Sequence, residues 1–181
     1  MAKNREKTLT ITLLKQQATQ RLAQIERQLK AIERAIAERI EQDEDAVRRR
    51  DILLGIPGIA TATAHAILIE MPELGTLGAK QVASLAGLAP VIRESGKWKG
   101  KARIGGGRAS LRQALYPGSG PGQAMPALVA TRFNPDLKAR YDTLRKAGKP
   151  AKLAITAVMR KLLITANALI RDDRNWTENP A

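Results

Sequence analysis

A long segment near the start of the chain contains neither glycine nor proline, and it constrains the fold more than any other feature. It runs from residue 5 to residue 50. Within it, apolar residues recur at alternating spacings of three and four positions, which is the a/d pattern of a coiled coil. The pattern predicts one long helix with an apolar seam along one side, formed by Leu22, Ile25, Leu29, Ile32 and Ile36.

A seam of this kind is stable only when it is covered. Two arrangements remain open, because the helix can fold back as an arm on its own domain or pair with a second copy of the chain. We expect residues 1–50 to form a helical arm or coiled coil, and the seam at residues 22–36 to make a homo-oligomer. The arm is expected to end in the basic run Arg48, Arg49 and Arg50.

The rest of the chain carries helix signals separated by turns. Asn134 and Pro135 are typical of a helix start, and Gly148 is typical of a helix end. The expected fold class is therefore all-α, with a long coiled-coil-like N-terminal helix, a compact helical domain over residues 51–176 and a frayed tail over residues 177–181. Residues 117–124 cannot continue a helix, and we interpret them as an insertion into one or, alternatively, as an ordinary loop.

Residues 53–68 resemble a helix-hairpin-helix DNA-binding element, because a tight Pro-Gly turn separates two short predicted helices. In that motif the hairpin amides and the start of the second helix bind a DNA phosphate without reading sequence. The candidate contacts are Gly58, Ile59 and Ala60, with Ala60 standing where the motif usually has a second glycine. A plain corner of a helical core explains the same residues.

A glycine-rich and strongly basic loop follows at residues 87–112, with Ser95 in a Glu-Ser-Gly turn. Glycines let backbone amides approach a ligand closely, and this much positive charge suits phosphate. We expect Ser95 to lie against a nucleic-acid backbone, with Ser110, near a helix start, as the alternative nucleophile. The predicted nucleic-acid contacts of the loop are Arg93, Lys97, Trp98, Lys99, Lys101, Arg103, Arg108 and Arg112.

Composition narrows the functional class. The 181 residues carry a formal net charge of +14, which favours a polyanionic partner such as DNA or RNA. The absence of cysteine excludes thiolate catalysis and zinc fingers, and a single histidine, His65, argues against a Ser-His-Asp triad. His65 itself is expected to be a bystander on its helix. No apolar segment is expected to approach the roughly 20 residues of a membrane span, so we expect a cytoplasmic protein without a membrane partner.

Eight short motifs occur in the order in which one family has them. They are Ile56-Pro-Gly-Ile, Gly87-Leu-Ala-Pro, Glu94-Ser-Gly-Lys-Trp-Lys-Gly, Gly106-Gly-Arg, Leu111-Arg-Gln-Ala-Leu-Tyr, Asn134-Pro, Gly148-Lys-Pro and Arg160-Lys-Leu-Leu. Over residues 50 to 176 the chain resembles the C-terminal domain of the bridge-RNA-guided insertion-sequence transposases. The helix before it resembles the coiled-coil segment of that family.

The resemblance implies a specific chemistry. In this family a serine of the C-terminal domain attacks a DNA phosphodiester and forms a covalent protein–DNA intermediate, and the matching residue here is Ser95. Four acidic residues of a RuvC-like domain hold Mg²⁺, and nothing in this chain corresponds to that domain. The resemblance therefore implies that this chain binds no metal or cofactor, that Mg²⁺ comes from the RuvC-like domain, and that the isolated chain is catalytically incomplete. DNA and a guide RNA are the implied partners.

Two other functions fit the same residues. A helix-hairpin-helix protein could bind nucleic acid without cutting it, which requires only the charge and the arm. A dominant-negative regulator could inactivate a full-length transposase by forming mixed oligomers through the arm.

Overall fold

The computed structural model describes residues 11–91, 94–95, 98–100, 103–116 and 126–178, with the backbone alone described at 94–95 and 98–99. These residues form eight helices and four two-residue strands. The helices are α1 (Thr12–Glu41), α2 (Glu44–Leu54), α3 (Thr61–Glu70), α4 (Ala79–Leu85), α5 (Ala109–Leu115), α6 (Pro126–Phe133), α7 (Pro135–Lys146) and α8 (Ala151–Arg171). The predicted helical fold class is confirmed, with a small strand-paired addition.

The expectation of one helix through residue 50 is wrong, because α1 ends at Glu41 and α2 begins at Glu44. The cause is local. Asp43 caps α2, since its side-chain oxygen accepts a hydrogen bond from the backbone N–H of Ala46 at 3.1 Å. Glu44 and Asp45 then occupy the first turn, where negative charge complements the helix dipole. The basic run at residues 48–50 therefore lies inside α2.

The middle of the apolar seam of α1 is not covered by the described part of the chain, whereas Leu22 and Ile36 at its ends are half-buried. Ile25, Leu29 and Ile32 are 38%, 53% and 57% exposed. α1 meets the domain mainly through α2 and α3, and Ile40 at its C-terminal end is its buried residue. The fold-back arrangement therefore does not describe these three residues, and pairing between copies stays a prediction.

The core is built around α8, which packs against α2, α4, α6 and α7. Its fully buried side chains include Val158, Met159, Leu162 and Leu163. Contrary to the sequence-based expectation, this 21-residue helix is long and apolar enough in composition to cross a bilayer. Burial of its inner face inside the domain accounts for that composition.

Two strand pairs lie between α4 and α5. β1 (Pro90–Val91) pairs antiparallel with β4 (Arg103–Ile104), and β2 (Glu94–Ser95) pairs antiparallel with β3 (Trp98–Lys99). The pairs are nested, and together they are called the serine ribbon below. No strand was expected here, because two-residue strands are too short to show an alternating pattern. The predicted insertion at residues 117–124 lies outside the described residues.

Candidate nucleic-acid interface

Ser95 lies in the inner strand pair of the serine ribbon. Its backbone is paired with that of Trp98, and Glu94 is paired with Lys99. The outer pair joins Pro90 to Ile104. The candidate nucleophile therefore belongs to a hydrogen-bonded ribbon, whereas the sequence indicated only a flexible loop.

The base of the ribbon is closed where the segment after α4 crosses the segment before α5. Gly87 and Gly107 meet at this crossing, with φ angles of +62° and +55°. A Cβ on Gly87 would overlap the Arg112 guanidinium and the Gly106 carbonyl oxygen, and a Cβ on Gly107 would overlap the Leu85 carbonyl oxygen. Glycine is required at both positions, because each combines a left-handed conformation with a close backbone approach.

Arg112 ties the two crossing segments together. Its guanidinium donates hydrogen bonds to the carbonyl oxygen of Ala86, at 3.3 Å, and to the carbonyl oxygen of Gly106. The sequence suggested that the glycines of this loop expose amides to a ligand. At Gly107, the close approach is instead to the backbone of the protein itself.

Arg108 fixes the start of α5 by two contacts. Its backbone N–H donates to the Leu85 carbonyl oxygen at 2.8 Å, and its guanidinium lies 2.6 Å from the Glu73 carboxylate. Burial alone would raise the pKa of Glu73, but a hydrogen bond from its own backbone and the Arg108 guanidinium together lower the pKa below its ordinary value. Glu73 is therefore ionised at neutral pH, and the pair joins the loop after α3 to the base of the ribbon.

The loop that carries Glu73, residues 71–78, is fastened from the α2 side. The Arg49 guanidinium donates to the carbonyl oxygens of Pro72 and Leu74, at 2.7 and 2.8 Å. Only 17% of the Arg49 side chain is exposed. A largely buried guanidinium that satisfies two loop carbonyls positions the loop firmly.

The same loop is fastened from the α8 side by Asn167, which is 3% exposed. The Asn167 side chain accepts from the Gly75 backbone N–H and donates to the Leu77 carbonyl oxygen, both at 2.8 Å. Neither Arg49 nor Asn167 was singled out as a positioning residue from the sequence. The available signal was an amide side chain on an otherwise apolar stretch of α8.

The predicted nucleic-acid contacts of the loop divide into four groups. Arg108 and Arg112 are engaged inside the protein, whereas Arg103 is exposed on β4. Only the backbone is described for Trp98 and Lys99. The remaining predicted contacts lie outside the described residues, and they are Arg93, Lys97 and Lys101. Contact between any of these residues and nucleic acid stays a prediction.

A groove of about 550 Å³ opens beside the outer strand pair, between β4, the end of α5 and the first half of α8. Its apolar lining includes Leu88, Ile104 and Leu153, and Tyr116 supplies an aromatic ring. Leu153 is 49% exposed and Ile104 is 36% exposed. The cations that line the same groove are Arg103, Lys152 and Arg160.

The predicted helix-hairpin-helix residues occupy the corner between α2 and α3. Gly58 has a φ of +106°, and a Cβ there would lie 2.7 Å from the Cβ of Ala130 on α6. Ile59 is buried in the core, whereas Ala60 leaves the uncapped start of α3 at the surface. The turn is thus packed against α6, and phosphate binding at its exposed side stays a prediction.

Ser110 and His65 occupy unremarkable positions. Ser110 is an exposed residue of the first turn of α5, as the sequence indicated.

His65 is 9% exposed on α3. Burial is the main cause that lowers the pKa of His65, and the charge of Arg50 lowers it further, so the imidazole is neutral at physiological pH.

The Mg²⁺ that the resemblance implies prefers oxygen ligands such as carboxylates. Within the ranges given above, no three His, Asp or Glu side chains come together as metal ligands. The Glu73 carboxylate is paired with Arg108 at the base of the ribbon. The supply of Mg²⁺ from a RuvC-like domain stays a prediction.

Comparison with known proteins gives one family and several relatives. The sequence profile of the transposase IS116/IS110/IS902 family matches residues 50–142, from α2 into α7 and across the serine ribbon. The pilin gene-inverting proteins of Moraxella bovis and Moraxella lacunata are each 34% identical over 131 residues, which is 70% of this chain. The insertion element IS900 uncharacterized 42 kDa protein of Mycobacterium paratuberculosis is 28% identical over 159 residues, or 83% of this chain.

The chain is much shorter than these relatives. The matched region spans 38% of the length of each pilin gene-inverting protein and 37% of the IS900 protein. The comparison therefore concerns one part of those proteins, the part that contains the serine ribbon here.

Proposed function

The chain belongs to the IS116/IS110/IS902 transposase family, and from this premise we propose that it supplies the serine nucleophile for DNA strand cleavage and transfer in the cytoplasm. The nucleophile is the hydroxyl of Ser95. The observation that carries the proposal is the pairing of Ser95 with Trp98 in a ribbon whose base is anchored at Gly87 and Gly107. A positioned nucleophile reacts far faster than a freely moving one.

The reaction is a pair of transesterifications. The Ser95 oxygen forms a bond to a DNA phosphorus atom while the bond from that phosphorus to a deoxyribose oxygen breaks. The serine proton passes to water, and the leaving oxygen takes a proton from water. A hydroxyl of the receiving strand then attacks the same phosphorus and releases the serine, so no external energy source is needed. One DNA rearrangement that such a reaction can produce is inversion, which the name of the Moraxella relatives indicates for those proteins.

The positive charge of the chain supports DNA as the substrate. The net charge of +14 attracts a polyanion, and Arg103 is exposed on the outer strand pair, three residues before the Gly106 carbonyl that Arg112 holds. The uncapped start of α3 at Ala60 adds exposed backbone N–H groups suited to a phosphate. These contacts bind DNA without reading its sequence.

The proposed reaction also requires a RuvC-like domain, a guide RNA and a second copy of the chain. Because no three metal-ligating side chains come together in the described residues, we assign Mg²⁺ to a RuvC-like domain, and we assign the choice of target to a guide RNA. The seam at residues 22–36, with its exposed Ile25, Leu29 and Ile32, joins two copies of the chain. The isolated chain is expected to bind DNA without cleaving it.

The decisive experiment looks for a covalent protein–DNA adduct. The 181-residue chain is mixed with a purified RuvC-like polypeptide of the family, guide RNA, Mg²⁺ and labelled target DNA, and the products are resolved on a denaturing gel. The wild-type chain and the Ser110→Ala variant should form the adduct, and Ser95→Ala should not. An adduct that survives Ser95→Ala removes the assignment of the nucleophile.

A regulatory function is the second candidate, and the exposed seam of α1 is the observation that favours it. A chain whose Ile25, Leu29 and Ile32 remain uncovered can pair with a longer relative through the same seam. Wild-type chain that binds DNA, forms no adduct and lowers the activity of an added full-length transposase would support this alternative.

A further inference from the structure

The groove beside the serine ribbon combines two kinds of surface. Its apolar side is formed by Leu88, Ile104 and Leu153, and the last two are exposed to solvent. The aromatic residue Tyr116 stands where α5 ends. A cavity of about 550 Å³ with this lining lies within the range of about 300–1,000 Å³ that is typical of ligand sites.

The charged side of the groove is entirely basic among the described lining residues. Arg103 comes from β4, while Lys152 and Arg160 come from α8, and all three are exposed. No described carboxylate forms an ion pair with any of the three. Positive charge that is not neutralised by the protein attracts phosphate.

The arrangement matches the chemistry of an unpaired nucleic-acid strand. Strand-binding proteins place the phosphates on a basic groove and the base faces on aromatic or apolar side chains. A base-paired duplex hides its base faces and cannot use the apolar side of such a groove. The groove is adjacent to β4, which belongs to the outer strand pair, and Ser95 belongs to the inner pair enclosed by it along the chain.

We propose that this groove binds one or two unpaired nucleotides of a DNA strand, with the bases against Tyr116 and Leu153 and the phosphates against Lys152 and Arg160. The inference rests on the proposed function, because that function brings the strand to the neighbouring ribbon. It adds a site that holds the strand open next to the reacting phosphate.

Adjacent residues of α8 provide a matched pair of variants. Arg160 lines the groove, whereas Lys161 lines a separate cavity on the α7 side together with Asp136 and Arg174. Neighbouring residues of a helix point about 100° apart, so each alanine variant removes one exposed positive charge from a different face. Leu153→Ser tests the apolar side, and Phe133→Ser, at a residue that is 68% exposed on α6, is its control.

The experiment measures binding of the full 181-residue chain to a fluorescent 20-nucleotide single-stranded DNA and to the corresponding duplex, over a series of salt concentrations. Loss of one phosphate contact should weaken single-strand binding about fivefold near 0.1 M salt and reduce the salt slope by about 0.7. Arg160→Ala should show this loss, and Lys161→Ala should not. Leu153→Ser and Tyr116→Leu should each weaken single-strand binding about three- to tenfold, with little effect on duplex binding. Thermal unfolding of each variant shows that it is folded.

Each contrary result has a defined meaning. Equal losses in Arg160→Ala and Lys161→Ala would show diffuse attraction and overturn the site. Unchanged binding in Leu153→Ser and Tyr116→Leu would overturn base contact, and tighter binding of an RNA of the same sequence would overturn the assignment to DNA. The covalent assay separates this inference from the proposed function. If the groove variants bind DNA normally and Ser95→Ala abolishes the adduct, the groove proposal is overturned and the proposed nucleophile is retained. If the groove variants lose binding and the adduct survives Ser95→Ala, the assignment of the nucleophile is overturned and the groove proposal is retained.

Discussion

The guanidinium of Arg108 lies 2.6 Å from the carboxylate of Glu73, and this ion pair connects two segments that are distant in sequence. Glu73 belongs to a loop fastened by α2 and α8, and Arg108 immediately precedes α5. The pair therefore holds the base of the serine ribbon in a fixed position relative to the helical core. Arg108 was chosen from the sequence as a phosphate contact; it pairs with a carboxylate of its own chain, and its contact with nucleic acid stays a prediction.

Replacing Glu73 with glutamine should lower the free energy of unfolding by about 1–2 kcal/mol, because the partly buried Arg108 loses its partner. Urea unfolding followed by circular dichroism measures the change. The control is Glu38→Gln, which removes an exposed pair with Arg34 on α1 and should cost no more than about 0.5 kcal/mol. Equal effects from the two variants would contradict a structural role for the Glu73 pair.

The stability contributed by Glu73 should depend on pH in a defined direction. The pKa of Glu73 is lowered in the folded chain from an ordinary value of 4.5. A lowered folded-state pKa means that the unfolded chain binds the proton more readily, so the contribution is complete above pH 4.5 and is lost as pH falls through the lower folded-state pKa. The difference in unfolding free energy between wild type and Glu73→Gln should therefore shrink below pH 4.5, and a difference that grows there would contradict the ion pair.

His65 should titrate below its ordinary pKa of 6.5, since burial and then the charge of Arg50 disfavour the imidazolium form. The chain has one histidine, so its imidazole proton resonances can be followed by NMR without ambiguity. The contribution of His65 to stability is complete above pH 6.5 and falls as pH drops from 6.5 toward the lower folded-state pKa. His65→Gln should remove that part of the pH dependence, and a pKa at or above 6.5 would show that the ring is not desolvated.

Alanine at Gly107 should destabilise the chain by about 2–4 kcal/mol, because it combines a positive φ with overlap against the Leu85 carbonyl oxygen. Gly105 is the matched control two residues away, since nothing lies within 4 Å of a Cβ placed there. Gly105→Ala should change the unfolding free energy by less than about 1 kcal/mol. Comparable losses at both positions would mean that the crossing at the base of the ribbon is not tightly packed.

Polar replacements at Ile25, Leu29 and Ile32 should abolish any oligomer, since these residues form the exposed seam of α1. Sedimentation velocity of the wild type and of the triple glutamine variant measures the change. Replacement of Leu54, a 39% exposed residue at the end of α2, is the control and should leave the oligomer intact. An oligomer that survives the triple variant would show that the seam is not an interface.

Local signals in the sequence predicted the helices well. The start of α7 is as expected, because the Asn134 side chain accepts from the Leu137 backbone N–H at 3.2 Å and Pro135 is the first helical residue. Gly148 follows that helix with a φ of +74°. Caps and glycines act over three or four residues, so a single sequence suffices to recognise them.

The features that could not be predicted depend on contacts between distant residues. The partners of Arg108 and Arg112 are a loop carboxylate and two carbonyl oxygens, and nothing in the local sequence around either arginine indicates them. For the seam of α1, the local pattern could be recognised but its partner could not. Its periodicity was clear, yet periodicity cannot tell whether an apolar stripe is covered by its own chain or by another.

Arg48 brings the first helix of the domain, α2, into contact with the segment that follows α8. The Arg48 guanidinium lies 2.7 Å from the Asp173 carboxylate and also donates to the Asn175 side chain, so the first domain helix touches the last described segment. Entry and exit are therefore neighbours, as in many domains that tolerate circular permutation. Polypeptides fused ahead of α2 and behind Trp176 would leave from the same corner, which lets a single neighbouring module engage both.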